Sequence, residues 1–358
     1  MIDFRYHLVS IVAVFLALAI GIVLGSTELQ GHTIDLLQST SNGLTNSLNA
    51  ANAQHDSDQQ AISADQQFLQ TAESRLLDKQ LDGDRLVIIT EPGAPGSVID
   101  GIKQAAGDAG ATVTGVVALQ PKFNDLSGAT QSNLSSINNT LASTDDIVLA
   151  AAADPQTAYQ QQAAQLIATA ILDKPATSSG SASSSSASSN GVSDLSAAAQ
   201  TLLAAYEQAG YLTVSDATVP ATLAVIVTPQ TVPADGQNDP GNKVLLALAQ
   251  QFANGSAATI VVGSSAGSSP GSAISVLRSS SVSGQVSSVD DADTTLGQIS
   301  SIWALAAQKA GEKPNSYGIW GASAASPVPL PELSAAPTIT PTPHKTAKGK
   351  GTTSVKKK

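Results

Sequence analysis

Cysteine is absent from all 358 residues, and the one methionine is the first residue. Neither a disulfide nor a thiolate metal site can form within such a chain. Histidine is nearly as scarce, and His7, His32, His55 and His344 are too scattered to read as a ligand set. Basic charge is short as well. The net charge is −11, yet Leu333 to Lys358 carries six lysines and no acid, which leaves −17 for everything before it. An acidic body lacks the basic patches that neutralise phosphates, so nucleic acid is not an expected partner. It suits a solvated extracytoplasmic domain. Proline is missing from the whole stretch Thr27 to Asp82, where glycine occurs only at Gly31 and Gly43.

What is present begins at the N-terminus. A short polar lead, Met1 to His7, precedes an unbroken apolar run from Leu8 to Gly25 whose only hydroxyl is Ser10. As a helix rising about 1.5 Å per residue, the run reaches roughly 27 Å, close to a hydrocarbon core of about 30 Å. Two readings compete, a retained anchor and a cleaved secretory signal. Length favours the anchor, because a signal's apolar region is usually about 7 to 15 residues and closes on a small-x-small site. Here Ala17-Leu18-Ala19 lies mid-run. Arg5 before the run, with Glu28 and Asp35 after it, points to a cytoplasmic N-terminus in a single-pass cell-membrane protein, the bulk of the chain lying outside the cytoplasm. Ala13, Ala17, Gly21 and Gly25 recur at every fourth position and share one helix face. Small side chains let two helix backbones approach closely in lipid, although Ala and Gly are also simply common in membrane helices.

After this anchor, taken as residues 1–26, the proline-free segment 27–82 reads as one long helix. Ile34, Leu48, Ile62, Leu69 and Leu76 fall on one seven-residue series, and Leu37, Leu44, Ala51 and Ala72 on the series three later. That is the a/d spacing of a coiled-coil seam, which predicts a homo- or hetero-oligomer joined through membrane and stalk helices. His55 at an a position and Asp58 and Asp65 at d weaken the seam midway. A solvated single-helix stalk is the competing reading, since so polar a seam buries little.

From residue 83 to 325 the texture is that of an extracytoplasmic α/β domain with a mainly parallel sheet. Strands are predicted at Arg85–Thr90, Ala111–Leu119, Ile147–Ala151, Thr222–Val227, Thr259–Val262 and Gln285–Val289. Helices are predicted at Ser97–Ala109, Asp125–Leu141, Thr157–Leu172, from an Asp194 cap to Gly210, and at Lys243–Ala253, Ala273–Arg278 and Thr295–Ala310. The Ser-rich stretch 174–193 interrupts this pattern as a flexible connector, either between two domains or as an insert in one sheet. Residues 326–358, rich in Pro and Lys, read as a disordered tail.

Three local patterns bear on chemistry. Gly263-Ser264-Ser265-Ala266-Gly267 fits G-x-S-x-G after a strand, but the only later histidine is His344 and the following helix is delayed, so a loop is the better reading than a nucleophile elbow. Gly93 to Gly96 is neither a dinucleotide fingerprint nor a P-loop. Asp290-Asp291-Ala292-Asp293 offers carboxylates for a hard cation, or caps for the helix starting at Thr295. No catalytic or cofactor-binding constellation emerges, and the chain does not read as an enzyme.

The residues nevertheless carry a resemblance. Phe4-Arg5-Tyr6-His7-Leu8-Val9-Ser10, running through Phe15-Leu16-Ala17-Leu18-Ala19-Ile20-Gly21 to Leu24-Gly25-Ser26, closely resembles the N-terminus of the mycobacterial copper transport protein B (MctB) family of Actinobacteria. Val289-Asp290-Asp291-Ala292-Asp293, Gly297, Ala304-Leu305 and Ser316-Tyr317-Gly318 look like its C-terminal signature. The resemblance implies an envelope protein tied to copper efflux or tolerance, described as channel-forming at the outer membrane, with copper as a transported ion. It also implies a link to cell separation through a cytoplasmic membrane partner and a cell-wall hydrolase. Copper(I) selects thiolate, thioether and imidazole ligands, which this composition scarcely supplies. From the residues themselves, a membrane tether is the alternative to copper export.

Overall fold

A computed structural model of the chain describes residues 4–152, 154–173, 194–217, 219–267 and 269–319, with the backbone alone at 4, 5 and 26–35. The predicted connector 174–193 and tail 326–358 lie outside the described residues. Two compact units result, Met1–Phe68 and Leu69–Lys358.

The first unit is built on α1 (Phe4–Leu77), a single helix of 74 residues. An uninterrupted helix follows from a sequence with no proline across this span. Within it, Tyr6–Gly25 is long and apolar enough to cross a membrane.

In the second unit, the last turns of α1 are followed by a seven-stranded sheet. Its strands are β1 (Arg85–Thr90), β2 (Thr112–Leu119), β3 (Leu212–Ser215), β4 (Leu223–Val227), β5 (Ala258–Val262), β6 (Ser287–Val289) and β7 (Ser316–Tyr317). They lie in the order β3-β2-β1-β4-β5-β6-β7. All neighbours are parallel except β3, which pairs antiparallel with β2 through Val116–Leu119. Strands from both sides of 174–193 therefore share one sheet.

The apolar runs of the central strands are continuous because both sheet faces are covered. On one face, Leu86, Ile88, Val225, Val227 and Ile260 pack against Leu77 at the end of α1, α2 (Gly96–Asp108) and α8 (Thr295–Lys309). On the other, Val87, Ile89, Ala224, Ile226 and Val261 pack against α3 (Gly128–Thr144), α4 (Ala158–Ile171), α5 (Ala197–Gln208), α6 (Pro240–Gly255) and α7 (Ala273–Arg278). Trp303 of α8 donates its indole N–H to the Leu76 carbonyl at 3.3 Å, which fixes the last turn of α1 to this layer.

Three expectations need correction. Residues 147–151 form no strand; Gln165 instead donates to the Val148 carbonyl and accepts from the Ala150 N–H, holding the stretch as a loop. β3 and β7 went unread because each is short and gains its backbone partners only from a distant strand. The cap of α5 is Ser196, whose side chain accepts from the Ala199 N–H, and not Asp194.

Candidate functional site at the carboxyl edge of the sheet

Strand order reverses between β1 and β4, and open α/β sheets bind ligands in the crevice outside the carboxyl ends of the strands at such a switch point. Glu91 stands there. Its N–H donates to the Val227 carbonyl at 3.0 Å, extending the β1–β4 ladder by one residue. The residue is 3 % exposed, and among the described residues Oε1 has no hydrogen-bond partner. Burial, reinforced by the negative charge of Asp239, pushes the carboxyl pKa up to about 8. The group is therefore mostly neutral at pH 7.

Asp239 is the N-cap of α6, its Oδ1 accepting from the N–H groups of Gly241 at 2.8 Å and Asn242 at 3.4 Å. Asn124, in the turn after β2, faces it. Asn124 Nδ2 and Asp239 Oδ1 each lie 3.0 Å from the point where a Cβ on Gly241 would stand. Asn124 Oδ1 is a buried acceptor with no partner among the described residues. None of these three residues was singled out from sequence; the only signal was a glutamate continuing an apolar strand into the Pro92-Gly93 turn.

A second cluster closes the ends of β5, β6 and β7. Arg278, at the end of α7, donates to Asp290 Oδ2 at 2.7 Å, to Ser288 Oγ at 2.9 Å and to the Tyr317 carbonyl at 2.7 Å. Asp290 is fully buried and also accepts from the Ile319 N–H at 2.8 Å. Asp291 is buried beside it, with Oδ1 unpartnered among the described residues; burial first, then the charge of Asp290, lifts its pKa to about 6. Asp293 accepts from both the N–H and the hydroxyl of Ser265, at 2.9 and 2.8 Å. The carboxylates do not cap α8, because Thr294 does so by accepting from the Gly297 N–H at 3.0 Å. Ser265, the serine of the G-x-S-x-G pattern, thus bonds a carboxylate at the start of a single 3₁₀ turn, Ser265–Gly267, and opens no α-helix.

The predicted helix-association residues Ala13, Ala17, Gly21 and Gly25 all lie on exposed stretches of α1, and a Cβ at Gly21 or Gly25 would meet nothing within 4 Å. Of the predicted seam, Leu37, Leu44, Leu48 and Ile62 are exposed, Leu69 packs partly against the folded core, and Leu76 is 37 % exposed. The side chain of Ile34 lies outside the described residues. Among the described residues, no group of three or more His, Asp or Glu side chains is arranged to hold a metal ion.

The profile of the family described as "Copper transport outer membrane protein, MctB" matches residues 1–329. This chain belongs to the MctB family. It is 28 % identical over 310 residues to "Copper transporter MctB" of Mycobacterium tuberculosis (strain ATCC 25618 / H37Rv), covering 85 % of this chain and 92 % of that one. The Mycobacterium bovis protein of the same name aligns equally well. The Mycobacterium leprae protein, also named "Copper transporter MctB", is 27 % identical over 338 residues, covering 92 % of this chain and all of that one.

The fold shows what the residues resembling the MctB C-terminal signature do. Val289, Asp290, Asp291, Gly297, Ser316, Tyr317 and Gly318 converge on the Arg278 cluster. A Cβ at Gly297 would collide with the Asp291 carbonyl, and one at Gly318 with the Asp290 carboxylate. Glycine to alanine in a helix ordinarily gains about 1 kcal/mol. At Gly297 the sign reverses, and Gly297→Ala is expected to cost about 1–3 kcal/mol from overpacking. Urea unfolding reads this directly; a rise in midpoint would show that the Asp291 loop yields.

Proposed function

We propose that this chain is a single-pass envelope protein that serves copper efflux and tolerance as an anchored scaffold, not as an enzyme or a self-contained conduit. The copper role rests on the names of its MctB relatives. The scaffold role rests on one observation: in α1 the apolar stretch Tyr6–Gly25 and the heptad-bearing segment are one continuous helix. A lone span cannot line a pore unless it oligomerises. The stripe Ala13, Ala17, Gly21 and Gly25 and the seam at Leu37, Leu44, Leu48 and Ile62 supply surfaces for that association. The N-terminus lies in the cytoplasm and the α/β unit outside it, with copper passing as cargo.

A second reading is favoured by the donor chemistry. With no cysteine and only the initiator methionine, the chain offers no soft ligand set for copper(I). In that reading it is a tether that couples a cytoplasmic membrane partner to a cell-wall hydrolase during cell separation. A strain lacking the gene, complemented with the wild type or with Gly21→Leu, Gly25→Leu, separates the two. Copper export predicts raised cell copper in the deletion, and failure of the double variant to lower it at equal protein level. A chaining defect at normal cell copper would support the tether instead, and full rescue of both phenotypes by the double variant would remove the small-residue stripe from either account.

A further inference from the structure

The seam along α1 changes character with distance from the apolar span. Leu37, Leu44 and Leu48 are exposed apolar side chains on the two seven-residue series, and further along Ile62 is 48 % exposed and Phe68, beside Leu69, 70 %. Between them the same series place His55, and then Asp58 and Asp65 on either side of Ile62. The residues that border the seam here, Gln54, Gln59, Ala61 and Gln66, carry no charge. Partner choice in a coiled coil usually comes from charges at such bordering positions, so here it falls to the two aspartates in the seam itself. Nothing on α1 neutralises them. Gln54 Nε2 donates to Asp58 Oδ1 at 2.8 Å, but within residues 27–77 the only basic residue is Arg75, against six acids.

We propose that the stretch of α1 centred on Asp58, Ile62 and Asp65 docks a helix of a different protein, one that presents lysine or arginine at the two matching core layers. A second copy of this chain is the poorer occupant. The inference rests on the single-pass reading above, which anchors two copies in one membrane and sets their helices parallel, so that identical residues meet layer by layer. Asp58 would then face Asp58, and Asp65 face Asp65. Like charges set opposite one another across an interface are penalised. A basic partner turns both layers into opposite-charge pairs, and the aliphatic stems of its lysines or arginines cover Ile62 while their charged heads reach the aspartates. The exposed apolar positions supply contact area, and the two aspartates, seven residues apart, supply register and reject the wrong helix.

The test uses the full chain in detergent micelles, with Ala51→Cys, at an exposed position on the second series, as the only thiol. Every chain also carries Gly21→Leu and Gly25→Leu, so the outcome does not depend on the small-residue stripe. The probe is a basic helix of known register, the same chain with Asp58→Lys and Asp65→Lys and a tag of different mass. After equimolar mixing and mild oxidation, the aspartate chain is expected to form the disulfide with the lysine chain at least tenfold more than with its own copies. Equal helix content and melting temperature in the two chains show that the exposed substitutions leave the fold intact. A disulfide among aspartate chains as abundant as the mixed one would make a second copy the occupant and overturn the proposal, and so would the absence of any mixed disulfide. Mixed pairing that appears only after residues 333–358 are deleted would assign the surface to the chain's own lysines and overturn it equally. Release of the chain from cell membranes by detergent alone tests the anchored reading separately, so the two failures are distinguishable.

Discussion

Replacing Arg278 with alanine is expected to lower the stability of the α/β unit by about 3–5 kcal/mol, the usual penalty when one partner of a buried ion pair is removed. Arg278 and Asp290 side chains are only 9 % and 0 % exposed, so the abandoned carboxylate has no water to turn to. The loss is compounded by geometry. The same guanidinium holds Ser288 of β6 and the Tyr317 carbonyl of β7, so three acceptors lose a common donor. In a domain of this size each kcal/mol moves the melting temperature by about 2–4 °C, which predicts a drop on the order of 10 °C. Differential scanning calorimetry of the wild type and Arg278→Ala measures it. A drop below about 2 °C would mean that water reaches Asp290. Arg278→Met with Asp290→Leu should recover much of the loss, since an apolar pair leaves no orphaned charge.

Glu91→Gln is expected to act in the opposite direction, stabilising the protein at alkaline pH. The folded-state pKa is raised from the ordinary 4.5 to about 8, so the unfolded chain releases a proton that the native state retains. Stability contributed by the neutral form is fully present below about pH 4.5, falls as pH rises between the two values, and is lost once pH passes the folded pKa. At about 1.4 kcal/mol per unit, the ionisable carboxyl costs roughly 4–5 kcal/mol above pH 8. Asp291, lifted from 3.8 to about 6, adds a smaller penalty confined to a lower window. Urea unfolding at pH 5, 7 and 9 in the presence of chelator should show a falling stability in the wild type and a much flatter profile above pH 6 in Glu91→Gln. Parallel profiles would mean that the Glu91 carboxyl is solvated in solution.

Much of the architecture was readable from local pattern. β1, β4 and β5 announce themselves as short unbroken runs of Val, Ile, Leu and Ala, and the structure buries every residue of β4 and β5 on both faces. Helices α2 and α8 fall within a residue of the predicted Ser97–Ala109 and Thr295–Ala310. What failed shows where local signals stop. Val148 and Leu149 look like a strand, yet Val148 is 86 % exposed and its carbonyl accepts from the Gln165 side chain. Tyr317 belongs to a two-residue strand whose partner, β6, is 28 residues earlier, a pairing that no window of neighbouring residues contains.

The carboxyl-edge residues divide in the same way. Asp290, Asp291 and Asp293 draw notice as a run of acids, but their separate tasks depend on Arg278, Ser265 and Gly318, which the chain brings to them from three directions. Glu91 draws no notice at all, since one glutamate after a strand is ordinary. Its burial comes with the β1–β4 pairing, which continues one residue past Thr90. The sequence alone determined the apolar span, the uninterrupted helix after it, the absence of soft metal ligands and the membership of an alternating α/β class, because each depends on residue type and near-neighbour spacing. Only the tertiary structure decided the strand order, the switch point and the burial of the Glu91 carboxyl beside it. Those depend on which distant segments meet, and on water being excluded where they do.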